Sequence, residues 1–163
     1  MSMTDIMEAC FERLDAFAYA PQPPVLWPGT QAEPPATGAW LQASFFPNEP
    51  IDRSWSDEAA PEVRGFFQVL VCYRVRPGTG QVAPSLLADA LIEHFPKGLE
   101  LGSVRVLKRP WQSPNVVEDA SRSFIPVTIP YLGYLCADVT AEFYVTYLGE
   151  TVTHLGEPVT YTI

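Results

Sequence analysis

The sequence predicts an α+β fold, and three stretches carry that expectation. An amphipathic helix opens the chain, a strand–turn–helix unit occupies residues 64–98, and β-patterned segments follow it to the C-terminus. Each of the first two has one apolar face to bury, and a strand and a helix can bury theirs against each other.

Met1 to Ala18 reads as the opening helix. Thr4 is its expected N-cap, with Asp5 and Glu8 in the first turn, where the helix dipole favours acids. Ile6, Cys10, Leu14 and Phe17 recur at helical spacing on one face, while Glu8, Glu12 and Asp15 fall elsewhere and meet water. An ordinary core-facing helix accounts for the pattern. Pro21, Pro23 and Pro24 break it. Val25 to Gly29 is a short apolar patch with a turn after it, and residues 30–38 form a loop. Trp40 to Phe46 reads as a strand with Leu41, Ala43 and Phe45 on one face, stopped by Pro47-Asn48. Residues 48–63 are a polar, acidic loop whose Trp55 either packs down or meets a partner.

The central unit begins with strict alternation. Phe67, Val69, Val71, Tyr73 and Val75 share one face of an extended chain; Phe66, Gln68, Leu70, Cys72, Arg74 and Arg76 share the other. Pro77-Gly78-Thr79-Gly80 ends the strand. A helix follows, with Pro84 suited to its first turn and Leu87, Leu91 and Phe95 as its apolar stripe. Pro96 halts it, and Gly98 is placed to cap its end.

Leu99 to Pro110 reads as a strand in which Gly102 permits a bulge or kink. Arg105, Lys108 and Arg109 form the densest basic cluster of the chain. Ser123 to Tyr131 is a strand carrying Pro126 and Pro130, which predicts an edge position where no ladder bond is lost. The last segment repeats every seven residues, as Val145-Thr-Tyr-Leu-Gly-Glu-Thr151, Val152-Thr-His-Leu-Gly-Glu-Pro158 and Val159-Thr-Tyr161. An odd period turns equivalent residues to opposite faces of one strand, so a bend at each Gly-Glu is expected. The segment reads as a short strand pair packed on the domain or as an arm reaching a neighbour. The expected division is a domain over 1–135 and a β-rich extension over 136–163.

The chain has 163 residues and a formal charge of −9. That length suits one domain with a real core, and the charge disfavours nonspecific nucleic-acid binding by the general surface. No run is long enough to cross a bilayer, and no basic-then-apolar start marks a secretory signal, so cytoplasmic synthesis is the expectation. Cys10, Cys72 and Cys136 are scattered and odd in number, against a disulfide framework or a zinc site. His94 and His154 have no ligand at metal spacing. His94 stands near a helix C-terminus, where a partial negative charge favours its proton. Asp89 and Glu93 are spaced i, i+4 on a solvated helix face. No nucleophile, base and oxyanion hole assemble, and residues 77–80 lack the Lys-Ser/Thr of a phosphate loop. No enzyme activity, metal or cofactor is expected.

Several motifs coincide in order: Trp27-Pro28-Gly29, Gly38-Ala39-Trp40-Leu41, Phe46-Pro47-Asn48, Arg64-Gly65-Phe66-Phe67-Gln68-Val69, Pro77-Gly78-Thr79-Gly80, Leu87-Ala88-Asp89 with Phe95, and Pro126-Val127-Thr128-Ile129-Pro130-Tyr131. This order resembles the tail terminator family of long-tailed phages and phage-like particles, over about residues 5–135. The resemblance implies a small mixed or antiparallel sheet with helices on one face. It implies a structural virion protein at the tail–neck junction, a homohexameric ring that caps the finished tail tube, stops polymerisation and offers a surface to the head-side connector or stopper protein. It brings no catalytic residues. Another neck component, such as a head-completion or adaptor protein, and a monomeric ligand-binding domain are the alternatives. Candidate interface residues are Gln68, Arg74 and Arg76 on the second face of the central strand, the cluster Arg105, Lys108, Arg109 with Trp111, and Trp55. Loops 28–39 and 47–63 either contact neighbours or tube or are plain solvated connections. DNA is expected only to pass through the lumen, whose wall should then be acidic or neutral; Glu118 and Asp119 are the candidates for it.

Overall fold

The computed structural model describes residues 2–30, 32–52, 60–75, 80–117, 122–135, 146–147 and 150–151. Helix α1 spans Met3–Asp15 and buries Ile6, Cys10 and Leu14, the stripe its periodicity predicts, with Phe17 buried just beyond. Its N-cap is Ser2, not Thr4. The Ser2 hydroxyl accepts from the Asp5 N–H while the Asp5 carboxylate accepts from the Ser2 N–H at 2.7 Å, a reciprocal capping box. Thr4 already stands inside the first turn, and the hydroxyl that accepts from the free amides ahead of it belongs to the residue just before that turn.

Eight strands form one mixed sheet: β1 (Val25–Leu26), β2 (Ala39–Pro47), β3 (Glu62–Arg74), β4 (Glu100–Leu101), β5 (Val104–Val106), β6 (Trp111–Gln112), β7 (Val116–Val117) and β8 (Arg122–Tyr134). Helix α2 (Val82–His94) links β3 to β4. β1 lies parallel to β2, and the remaining pairs are antiparallel. Both helices pack on the face that carries Phe67, Val69 and Val71 of β3 with Ile125, Val127, Ile129 and Tyr131 of β8. Phe67 meets Phe11 of α1 at 5.8 Å and Phe95, just past α2, at 5.9 Å, so this ring sits where the three elements converge. The α+β expectation with helices on one face holds.

Three further expectations are corrected. Leu99–Pro110 is not one kinked strand: Gly102, at φ 61°, turns the chain between β4 and β5 as a hairpin. And β8 is no edge strand. It lies between β3, paired over its full length, and the short strands β5, β6 and β7. Its prolines are tolerated because that second neighbour is broken into three pieces. β5 pairs with residues 131–133, β6 with 127–128 and β7 with 123–124. Pro126 and Pro130 fall in the gaps, and their carbonyls accept there from the N–H groups of Ser113 (2.8 Å) and Leu107 (2.9 Å). An antiparallel residue aims its N and its carbonyl the same way, so the missing N–H groups point at breaks in the ladder. Gly98 has φ 83°, yet its N–H donates to Val106 rather than to the last turn of α2, so it steers the chain into the sheet. Beyond β8 the short strands β9 (Thr146–Tyr147) and β10 (Glu150–Thr151) pair antiparallel in a separate two-stranded sheet. The rest of the seven-residue repeat lies outside the described residues.

Candidate assembly surface

Strand pairing lays out the second face of the sheet, turned away from α1 and α2, row by row. Residues directly opposite in antiparallel strands point the same way. Across β2, β3 and β8 the rows run Trp40–Cys72–Phe124, Gln42–Leu70–Pro126, Ser44–Gln68–Thr128 and Phe46–Phe66–Pro130. Two further rows, Arg64–Leu132 with Arg105 of β5, and Ile51–Glu62–Tyr134, complete the face. The polar row of Ser44, Gln68 and Thr128 separates the Trp40 end from the Phe46–Phe66 pair, and the row of Arg64 and Arg105 separates that pair from Ile51 and Tyr134.

The two ends of the face differ in cover. At one end Trp40 and Cys72 are buried, and Arg74 Nε donates to the Pro35 carbonyl at 3.1 Å, which ties the loop before β2 to this end. At the other end the Phe46 and Phe66 rings stack at 4.8 Å, and Phe46 is still 42% exposed, with Ile51 and Tyr134 also exposed. Val116, opposite Phe124, is exposed too, and Trp111 stands exposed at the edge opposite Thr128. Exposed apolar side chains gathered on one face are a feature that contact surfaces share.

Gln68 lies in the middle of this face, where its Nε2 donates to Thr128 Oγ1 at 3.4 Å. Arg74 lies opposite Arg122 at its covered end. Arg105 pairs with Glu100, which separates it from Lys108 and Arg109 in partnership if not in sequence. Arg109 and Trp111 instead line an open groove with Asp89, Ile92 and Glu93 of α2. The basic cluster of the sequence is therefore divided between the sheet face and this groove. Arg76, Trp55, Glu118 and Asp119 lie outside the described residues, as do Cys136 and His154. The expectation did not include Phe46, Ile51, Tyr134 or Val116; the i, i+2 alternation places Phe46 on the outer face, but exposure itself depends on what covers that face.

Charge is also distributed by layer. Arg64, ion-paired with the buried Glu62, and Arg105, Arg74 and Arg122 belong to the sheet face. On the helix layer His94 and Arg13 form a reciprocal latch. Arg13 Nη2 donates to the His94 carbonyl at 2.8 Å, and His94 Nε2 lies 2.7 Å from the Arg13 carbonyl, which makes Nε2 the donor. Burial lowers the His94 pKa and the Arg13 charge lowers it further, against the hydrogen bond to Arg13. The expectation that the helix end favours its proton is thus reversed by desolvation. Burial pushes the Cys10 thiol up to about 12 and leaves it un-ionised. Among the described residues no group of three His, Cys, Asp or Glu side chains is placed to hold a metal ion, and no helix is long and apolar enough to cross a membrane.

A family model described as phage tail terminator protein matches residues 5–131. Six chains of solved structures match, one of them with 30% sequence identity and a TM-score of 0.65, covering 82% of this chain and 96% of its own. No curated protein matches the chain.

Proposed function

This chain belongs to the phage tail terminator family, and from that premise we propose that it closes into a homohexameric ring on the finished tail tube, ends tube growth and presents its far side to a head-side connector or stopper protein. Its place is the virion, at the tail–neck junction. The observation that carries the reading is the exposed apolar end of the sheet face at Phe46, Ile51 and Tyr134. Ending a polymer asks for one surface that matches the tube and for others that bind only sister subunits. Shape and contact suffice for that, and no reacting group is needed.

Gln68, Arg74, Arg105, Lys108, Arg109 and Trp111 are proposed contact residues in this scheme, with Arg and Trp favoured at binding hot spots. Arg76, Trp55 and the extension 136–163 are proposed contacts on sequence grounds, and Glu118 and Asp119 remain the proposed acidic lining of a DNA passage. Deleting the gene in the parent particle tests the function. Overlong or ragged tails that never join heads are expected; tails of normal length would refute it.

A further inference from the structure

We propose that the subunits of the ring join head to tail, with the outer stripe of α2 of one copy seated on the open sheet face of the next. This assignment rests on the ring reading above and names its contact. A closed ring built by rotation needs two unlike patches on different sides of each subunit, because each interface joins one kind to the other. The molecule carries two such patches. One is the sheet end around Phe46 and Phe66. The other is on α2, where Val82 and Leu86 are 72% and 56% exposed and Asp89 and Glu93 continue the same line. Residues 82, 86, 89 and 93 follow the 4, 3, 4 spacing of one helix stripe. It points away from Leu87, Ala88 and Leu91, which are buried against the sheet.

Charge gives the contact its polarity. Helices α1 and α2 carry six acidic side chains against Arg13. The opposite sheet face carries Arg64, Arg74, Arg105 and Arg122 against Glu62 and Glu100. The stripe ends in Asp89 and Glu93, whereas the open end of the face carries Arg64 and Arg105, each ion-paired within its own chain to Glu62 and Glu100. A helix-to-sheet contact therefore sets the acidic end of the stripe beside guanidinium groups rather than beside acids, and apolar side chains against apolar side chains. A helix-to-helix contact would oppose acid to acid, and a sheet-to-sheet contact would join one patch to its own kind and close a pair rather than a ring.

The test uses the full chain with Leu86→Asp or Phe46→Asp, both exposed positions, with folding checked by thermal unfolding. Native mass spectrometry is read on the protein alone and on purified tail tubes. Each single variant is expected to lose the ring. A mixture of the two is expected to give dimers and nothing larger, because only one intact helix-to-sheet contact can form between them. Rings formed by either variant, or full rings from the mixture, would overturn the contact while leaving the ring itself standing. A wild-type chain that forms no ring in either setting overturns the ring reading as well.

Discussion

At the scale of single residues, two glycines of the sheet are required for space rather than for backbone freedom. A Cβ on Gly65 would lie 2.6 Å from the Tyr131 hydroxyl oxygen and closer still to the Phe46 carbonyl. A backbone carbonyl held in a ladder cannot retreat. Tyr131 is fully packed, stacked on Phe45 at 5.1 Å, with its hydroxyl lacking a hydrogen-bond partner among the described residues. Gly65→Ala is therefore expected to cost about 1–3 kcal/mol or more in chemical denaturation. At Gly133 the obstacle is the Ile6 Cδ1 at 2.7 Å, the tip of a side chain that can rotate, so Gly133→Ala should cost less. The reverse order would show that the Tyr131 ring is displaced more easily than its packing implies. His94 yields a pH prediction. Its folded pKa is below the ordinary 6.5, because burial, between the rings of Phe17 and Phe95, and Arg13 disfavour the imidazolium. The unfolded chain then binds more protons than the folded one, so the stability that neutral His94 contributes is whole above about pH 6.5 and is lost as pH falls through the folded value. Unfolding midpoints measured from pH 7.5 down to about 5 should fall for the wild type, and His94→Gln should remove that component of the slope.

At the scale of elements, α1 and α2 depend on β3 more than on their own sequences. Both are 13-residue helices, lengths at which isolated helices are marginal in water. Phe67 is the shared partner, in ring contact with Phe11 beyond Cys10 on α1 and with Phe95 at the end of α2. Phe67→Ala should cost about 3–5 kcal/mol. It should loosen both helices together in hydrogen exchange; protection lost in one helix alone would contradict a common anchor. β8 shows an element whose character is set by its neighbours. Its alternation is plain in Ile125, Val127, Ile129 and Tyr131, while its prolines argued for the rim of the sheet. They sit inside instead, because the strands beyond them stop where the prolines stand.

At the scale of the whole molecule, a charge of −9 conceals a division by layer, acidic on the helices and richer in Arg on the sheet face. Subunits joined helix to sheet should associate more weakly as salt rises, since exposed charges are screened within about 10 Å at 0.1 M. Ring dissociation followed by light scattering from low to high salt tests this; an association that tightens with salt would assign the contact to apolar burial alone. By itself the chain determined what local period and covalent geometry dictate: which residues of β2, β3, α1 and α2 turn inward. Alternation and the 3.6-residue turn are properties of the backbone, so a single segment reveals them. Only the tertiary structure decided that β8 is interior, that Gly65 must yield room to Tyr131, that desolvation outweighs the helix end at His94, and that Phe46 and Leu86 stay uncovered on opposite sides. Each of these depends on what stands across from a residue, and segments distant in the chain supply that neighbour.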